Sequence, residues 1–290
     1  MSPSKRTGTV LVQFDHLQKQ MRAGALSPAT SDLLGSIGET CLAFLREMDR
    51  RPLLSQITGK TFFSFRTAAV NSTRPVNEAL FQDGELVARL MTAAKQRRLN
   101  ADLSTTEITT ACYTLAIGFA CVVDVINPGD RQTPGTFFEY LIKHLIATTA
   151  ESEPTERVAV RVGDTTIRLT LDMILAPIEG TTRFHVAIKT STRERASEFW
   201  AHQRILDHAF GEHAYLGMFI GLGETKLDHK RYAVVEICVP DQWRLYQAHI
   251  ATIHRIYYLD PPHAYMQLNQ AKPPLSVQPF GAYFSESPLF

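Results

Sequence analysis

Cysteine pairs, long apolar runs and an excess of one charge each mark a class of protein, and this sequence lacks all three. Its 290 residues contain four cysteines and no Cys-x-x-Cys pair, which argues against a disulfide framework or a zinc site of that spacing. The longest run of apolar residues and glycine, residues 115–123, is far shorter than the roughly 20 residues that cross a bilayer. No apolar segment follows the charged N-terminus, so we expect a cytoplasmic protein with no membrane span.

Common motifs of cofactor binding and catalysis are also missing. The sequence has no Gly-x-Gly-x-x-Gly, no P-loop and no Gly-x-Ser-x-Gly. His249 and His254 lack the spacing and the third ligand of a zinc site. A dinucleotide enzyme, a P-loop nucleotidase and a serine hydrolase of the usual kind are therefore not predicted.

The composition predicts a globular chain with a sizeable core. Hydrophobic residues make up 44% of the sequence and charged residues 20%, which excludes a disordered tail protein or a fibre. A chain of this length buries roughly 75% of its unfolded surface, so it needs no disulfide or metal for stability. One large domain and two modest ones are both compatible with the length.

Charge is balanced overall but unevenly distributed. The net charge is +1, from 30 basic and 29 acidic side chains. Residues 51–100 contain eight lysines and arginines against three acids, whereas residues 101–150 contain two against five. A basic stretch beside an acidic one is compatible with a phosphate-contacting surface next to a metal site. A solvated helix face is the alternative.

Periodicity divides the chain into two regions. Apolar residues recur at helical spacing in the first region, which we predict to be all-helical, with helices at 33–50, 77–99 and 105–126. The last of these is apolar enough to be a buried helix. Asn127-Pro-Gly-Asp130 breaks the chain, so the sequence predicts a helical N-terminal domain at 1–126 and a second domain at 127–290.

The second region alternates between strand-like and helical segments. A helix begins at Pro134, and later helices are predicted at 193–210 and from Asp241. Strands are predicted at 157–162, 166–175, 183–189, 215–220, 232–239 and 255–259. This order indicates an α/β fold with a mixed central sheet flanked by helices. The proline-rich C-terminal end is expected to lie on the surface as an arm.

Two neighbouring strands of this region carry an acid and a lysine. Asp172 has apolar neighbours on both sides, and Lys189 ends the next strand 17 residues later. A burial-prone charge costs several kcal/mol unless it is paired or binds a metal. The two side chains therefore form either a cross-strand ion pair or part of a metal-dependent site.

The segment around these residues resembles the PD-(D/E)XK nucleases, in which an Asp and, one strand later, an acid-x-Lys hold Mg²⁺ at the scissile phosphate. Ala187 stands where the second acid is usual, and Leu171 replaces the proline before the Asp. Both departures are typical of type II restriction endonucleases that cut sites containing CC and GG, the EcoRII-like and CCGG-family enzymes. In that group the second acid lies on the following helix, and an Arg-acid-Arg motif follows the lysine, as Arg193-Glu194-Arg195 does here. The resemblance covers about residues 130–260.

The resemblance implies further site residues. Glu139, 33 residues before Asp172, corresponds to a carboxylate on the preceding helix that helps to hold the metal. A surface pair with Lys143 four residues later is the alternative. The displaced acid is expected near position 202 or 203, where this chain has His202 and Gln203. Either Glu198 replaces it from one helical turn earlier, or His202 or Gln203 supports the metal.

The chemistry of Arg193, Glu194 and Arg195 suits base reading. Arginine presents two donors to guanine O6 and N7, and glutamate accepts from cytosine N4 in the major groove. The alternative is a capping box, in which Ser191 and Glu194 close the first turn of a helix. Three residues in the N-terminal region, Phe62, Phe63 and Arg66, are candidates to hold a base flipped from the duplex, or else they form a hydrophobic edge.

Taken together, the resemblance implies a type II restriction endonuclease. Such an enzyme is a Mg²⁺-dependent homodimer, or a tetramer, that cuts double-stranded DNA and has a partner methyltransferase in the same system that does not bind it. Two alternatives are a nuclease of the same fold that repairs DNA or cuts junctions without sequence preference, and a DNA-binding protein with an inactive nuclease core.

Overall fold

A computed structural model describes most of the chain. The described residues are 3–24, 27–67, 73–150, 153–176, 183–192, 196–228, 230 and 233–286. The predicted base-reading residues Arg193, Glu194 and Arg195 lie outside them. The chain packs as two compact units: unit 1 contains Met1–His144 and Thr225–Ile237, and unit 2 contains Leu145–Glu224 and Cys238–Phe290.

Runs of helices and runs of strands follow one another along the chain. Among the described residues, the helices are α1 (Pro3–Ala23), α2 (Pro28–Leu45), α3 (Gly84–Lys95), α4 (Leu99–Asp102), α5 (Thr105–Ile126), α6 (Gln132–Ala147), α7 (Ala196–Phe210), α8 (Pro240–His249), α9 (His263–Met266) and α10 (Ala282–Ser285). The strands are β1 (Asp49–Ser55), β2 (Phe62–Arg66), β3 (Val76–Asn77), β4 (Thr155–Val162), β5 (Thr165–Leu175), β6 (Arg183–Lys189), β7 (Tyr215–Gly223), β8 (Thr225–Asp228), β9 (Ala233–Glu236), β10 (Ile253–Asp260) and β11 (Val277–Pro279).

Unit 1 contains a sheet, so its N-terminal part is not all-helical. Helices α1 and α2 come first, and α2 overlaps the helix predicted at 33–50, but strands β1, β2 and β3 follow them. The strand order in the described residues is β3-β2-β1-β9-β8, in which β1 is antiparallel to β2 and parallel to β9. The correction has a local cause: β2 is a short aromatic run whose residues 62–65 are all buried, and such residues favour strands.

Helix α5 forms the core of unit 1. Ser104 accepts a hydrogen bond from the backbone N–H of Glu107, whose side chain bonds back to the N–H of Ser104, so a capping box begins the helix. The helix is long and apolar enough to cross a membrane, but 89% of its most apolar window is buried inside the protein. The Phe119 ring stacks on Phe137 of α6 at 3.9 Å between centroids. The predicted buried helix is therefore confirmed as a core helix.

Unit 2 is built on a mixed sheet. Six strands of the described residues lie in the order β11-β10-β7-β6-β5-β4. Strand β5 is antiparallel to both of its neighbours, β4 and β6, whereas β6, β7, β10 and β11 run parallel. The predicted α/β fold with a mixed sheet and flanking helices is confirmed.

Aromatic side chains hold helices α7 and α8 against this sheet. Trp200 of α7 and Trp243 of α8 are almost fully buried, and their ring centroids lie 5.4 Å apart. Trp243 also contacts Phe219 of β7 and stacks on Tyr265 of α9. Burying a large apolar side chain stabilises the fold by roughly 1.5–3 kcal/mol, so this cluster fixes where α7 lies on the strands.

The described part of the proline-rich C-terminal segment contributes a strand to the sheet, which corrects the expected surface arm. Strand β11 pairs in parallel with β10, and Val277 and Phe280 are completely buried. The backbone N–H of Phe280 donates to the carbonyl of Tyr258 at 2.8 Å. Prolines are tolerated here because β11 is an edge strand.

The packing boundary differs from the boundary suggested by composition. Unit 1 continues through His144 and takes in the β8–β9 hairpin. Composition does not show which strands pair with each other, so it could not indicate this packing boundary. The division into 1–126 and 127–290 stays a proposal about functional domains.

Candidate active site

Asp172 and Lys189 meet on adjacent strands of unit 2. Asp172 lies in β5, and its carboxylate accepts a hydrogen bond from the backbone N–H of Ile188 in β6 at 2.8 Å. The Lys189 Nζ atom lies 2.7 Å from Asp172 Oδ2 and 2.9 Å from Oδ1. The predicted contact between the two strands is therefore present, and both oxygens of the carboxylate are hydrogen-bonded.

The environment of this pair is half-buried. The side chains of Lys189 and Asp172 are 18% and 22% exposed. Residues 173–175 after Asp172 are buried, and Lys189 is the last residue of a strand whose preceding five residues are buried. The pair thus lies where a buried strand surface opens to solvent, so a phosphate group could reach both side chains. A purely structural ion pair has the same geometry.

Asp172 offers a carboxylate, an oxygen ligand of the kind that Mg²⁺ prefers. The described residues contain no group of three or more His, Cys, Asp and Glu side chains that could hold a metal ion. A Mg²⁺ ion in a nucleotide-processing site commonly uses only one or two protein carboxylates and takes its other ligands from water and phosphate. The residues present fit an ion held in that way.

Glu139 has a local partner in α6. Its carboxylate lies 2.6 Å from Nζ of Lys143, four residues later, and the Lys143 side chain is only 7% exposed. This is the i,i+4 pair that the sequence offered as the alternative. Glu139 belongs to unit 1 and Asp172 to unit 2, so its metal role stays a prediction.

The side chain of Gln203 on α7 takes part in a buried hydrogen-bond network. Its Nε2 donates to Asp207 Oδ1 at 2.8 Å and to the carbonyl of Tyr215 at 2.7 Å. Its Oε1 therefore faces His185 Nδ1, 3.2 Å away, and accepts from it. A Cβ at Gly217 would lie 2.7 Å from that oxygen, so a glycine leaves the room that Gln203 needs. Gln203 has no free oxygen to offer a metal.

The other two candidates on α7 are accessible. Glu198 is exposed in the first turn, and His202 is half-buried. The His202 ring lies 6.1 Å from that of His185, between centroids. Either of them is free to approach a ligand in a way that Gln203 is not.

His185 is a buried histidine of β6 that sequence reasoning did not identify. It is 1% exposed and packs against Phe199. Burial lowers its pKa to about 4, with the hydrogen bond to Gln203 opposing the shift. The hydrogen bond also fixes the tautomer, since Nδ1 must carry the proton that Gln203 accepts. His185 is thus a neutral support beneath α7 at neutral pH.

We expect His185 to make the protein less stable in acid. An unfolded chain binds a proton at this histidine near pH 6.5, whereas the folded protein does so only near about 4. The stabilisation is therefore complete above the unfolded pKa and is lost as the pH falls towards the folded one. Between about pH 7.5 and about pH 4, wild type should lose about 3 kcal/mol more unfolding free energy than His185→Asn, measured by urea titration.

Asparagine keeps a donor for Gln203 but cannot be protonated in this range, which makes it a suitable replacement. His208→Asn, on the exposed side of α7, is the matched control and should follow wild type. Equal pH dependence of wild type and His185→Asn would contradict the expectation.

Glu224 is a second residue that the sequence analysis missed. It follows β7 directly and is 1% exposed. Its Oε1 accepts from the Thr192 N–H at 2.8 Å, the Thr192 hydroxyl at 2.6 Å and the Tyr258 hydroxyl at 3.0 Å. Its Oε2 accepts from the Ser191 hydroxyl at 2.8 Å. An acid directly after the apolar run of β7 was the signal that could have identified it.

The candidate base-flipping residues differ in their accessibility. Phe62 and Phe63 are 2% and 5% exposed. Phe63 packs edge-on against Phe65 and lies under the Arg50 guanidinium at 4.7 Å. Arg66 is exposed at the end of β2. Burial of the two phenylalanines favours the hydrophobic-edge alternative, and a role in DNA contact stays a prediction.

Ion pairs neutralise much of the basic stretch at 51–100. Five of its eight basic side chains contact an acid, in the pairs Lys60–Glu236, Arg74–Asp124, Arg89–Glu107, Lys95–Asp32 and Arg98–Asp102. Paired charges attract phosphate less than free ones do. The stretch therefore resembles the solvated-face alternative more than a continuous phosphate-contacting surface.

Comparison with known proteins identifies the fold. No protein-family profile matches the sequence, and no curated protein sequence matches it significantly. The restriction endonuclease PspGI, solved with substrate DNA, aligns over 70% of this chain and 90% of its own with 12% identity and a TM-score of 0.43. The type IIP restriction endonuclease Kpn2I aligns over 97% of both chains with 21% identity and a TM-score of 0.80. The chain therefore has the same fold as the type IIP restriction endonuclease Kpn2I.

Proposed function

We propose that the chain is a type II restriction endonuclease that cuts both strands of DNA at a short palindromic site containing CC and GG, with Mg²⁺ as cofactor. The observation that carries this proposal is the contact between Asp172 and Lys189, in a chain whose fold matches a type IIP restriction endonuclease along nearly its whole length. Fold alone would not indicate an activity, because one fold supports many functions.

Each residue of the pair has a distinct role in this proposal. Asp172 would hold Mg²⁺, with Glu139 as the further ligand that the resemblance implies. The ion would polarise the phosphoryl group and lower the pKa of a bound water. Lys189 would turn its Nζ from Asp172 towards the phosphate, where its charge stabilises the negative charge that develops during cleavage. The half-buried setting strengthens that interaction, because water screens it less than on an open surface.

The displaced acid of the related enzymes needs a replacement on α7. The contacts of Gln203 with His185, Asp207 and Tyr215 support a structural role for this residue. We therefore propose Glu198 or His202 as the group that assists the metal, directly or through a water molecule.

Base recognition is assigned to Arg193, Glu194 and Arg195. They follow Lys189 by four to six residues and immediately precede α7. The chain segment that follows the catalytic lysine therefore also carries the residues that would contact the bases. A palindromic target suits a two-fold protein in which each subunit reads one half-site, so we propose a homodimer, with a tetramer as the larger form.

Incubation of the protein with plasmid DNA and Mg²⁺ tests the proposal. We expect discrete fragments whose ends, once sequenced, share one short palindrome, and no cleavage in EDTA. Random fragments would indicate the nonspecific repair or junction nuclease. DNA binding without cleavage would indicate the DNA-binding protein with an inactive core.

The cellular setting follows from the activity. A restriction endonuclease acts in the cytoplasm and requires protection of the host's own sites. A methyltransferase that modifies the same sequence is therefore a functional partner, and no physical contact with it is proposed.

A further inference from the structure

The buried carboxylate of Glu224 is held by uncharged groups. Its hydrogen-bond donors among the described residues are the hydroxyls of Ser191, Thr192 and Tyr258 and the backbone N–H of Thr192. Burial raises the pKa of Glu224, and these hydrogen bonds oppose the shift. These donors compensate the cost of burying the carboxylate, and the carboxylate in turn fixes the position of the groups that donate to it.

The position of Glu224 links three elements of unit 2. Strand β7, which Glu224 follows, pairs in parallel with β6, with Lys189 opposite Gly221. Tyr258 reaches Glu224 from β10, and its ring occupies the space that a Cβ at Gly221 would fill. Sheet strands on both sides of β7 thus place the carboxylate rigidly beyond the end of β6.

The two residues that Glu224 holds lie between the catalytic strand and α7. Ser191 and Thr192 come two and three residues after Lys189. The carbonyl of Thr192 accepts the backbone N–H of Ala196, the first residue of α7, at 3.1 Å. Thr192 is therefore fixed on one side by Glu224 and on the other by the start of the helix.

We propose that Glu224 is a positioning residue that fixes Ser191 and Thr192, which lie in the sequence between Lys189 and the residues to which base recognition is assigned. By fixing Ser191 and Thr192, it holds the segment that joins the lysine at the phosphate to the residues at the bases. This inference rests on the proposed function for the roles of these residues, whereas the anchoring itself rests only on the contacts of Glu224. Loss of the anchor lowers the ratio of cognate to random-DNA affinity.

Two disruptive variants and one conservative variant test the inference. Glu224→Leu removes every acceptor, and Thr192→Val removes one donor with little change of shape. The measurement is the ratio of cognate to random-DNA affinity in Ca²⁺ at one salt concentration, with the cognate site taken from the mapped wild-type cuts. Each variant should lower the ratio by about tenfold, and the double variant by no more than the stronger single one.

Glu224→Gln should restore the ratio to near the wild-type value. Its amide oxygen can accept from Thr192, while the Ser191 hydroxyl reverses to accept from the amide nitrogen. Gln247→Met serves as the control, since it removes two buried hydrogen bonds to Ile253 elsewhere in the unit and should leave the ratio unchanged. Failure of Glu224→Gln to restore it would overturn anchoring through hydrogen bonds.

Hydrogen exchange in the absence of DNA separates this inference from the proposed function. The Thr192 and Ala196 amides should exchange faster in Glu224→Leu and Thr192→Val than in wild type. Unchanged exchange, or an unchanged affinity ratio in both folded variants, would overturn the role of Glu224. A wild-type protein without sequence preference would instead overturn the proposed function, and exchange would still decide the anchoring. If Glu224→Leu does not fold, Thr192→Val carries the test.

Discussion

Asp172→Asn is expected to reduce plasmid cleavage by about a thousand-fold or more while DNA binding is largely retained. Asparagine has nearly the shape of aspartate, and its oxygen can still accept the Ile188 N–H, but it lacks the charge that binds Mg²⁺. Loss of roughly 4 kcal/mol of metal-derived stabilisation corresponds to about that factor in rate. Single-turnover cleavage in saturating Mg²⁺ and affinity in Ca²⁺ measure the two quantities.

The control for this variant is another aspartate of unit 2. Asp241→Asn changes the same charge on α8, where the side chain is 91% exposed, and should cleave at the wild-type rate. Cleavage by Asp172→Asn at near wild-type rate would mean that the contact with Lys189 is only a structural ion pair. Loss of both cleavage and folding would be detected by urea unfolding of the same samples.

Arg193→Ala and Arg195→Ala are expected to weaken binding to the cognate site by roughly 5- to 150-fold each. A bidentate contact between arginine and guanine contributes about 1–3 kcal/mol of discrimination, and about 1.4 kcal/mol corresponds to tenfold in affinity. Binding to random DNA should change far less, because phosphate contacts carry it. Glu194→Ala should also weaken cognate binding, since it leaves the cytosine amino group without an acceptor.

The ratio of cognate to random affinity distinguishes base reading from helix capping. Arg204→Ala removes a positive charge from an exposed position of α7 and should leave that ratio unchanged. A segment that only caps α7 would lose about 1 kcal/mol of stability on substitution, with no change in sequence preference. If the ratio keeps its wild-type value in all three variants, the capping interpretation stands.

Local periodicity was enough to predict most elements of unit 2. Strand β6 has the predicted bounds, and β4 and β5 begin only one or two residues before theirs. The alternation of these strands and the helical repeat of α7 depend on neighbouring residues, because each element buries one face. The order of the elements then restricts the topology to a mixed sheet.

Pairing between distant segments could not be predicted in the same way. The predicted strand at 232–239 was expected in the central sheet, but β9 pairs with β1 in unit 1, about 180 residues earlier. Strand β2 and the proline-rich β11 also depend on partners that supply their hydrogen bonds. Which edge a short segment joins is decided by the rest of the sheet, and no local pattern encodes it.

The residues of the candidate site likewise differ in whether local sequence could predict their contacts. The sequence by itself determined that Asp172 and Lys189 would lie on adjacent strands, because each ends or interrupts an apolar alternation within one hairpin. Only the tertiary structure decided that Glu224 contacts Ser191 and Thr192 and that Gln203 forms a hydrogen bond with His185. Those contacts require a parallel crossover through α7 to return the chain beside β6, and a buried polar side chain takes whichever partner that packing brings within hydrogen-bond distance.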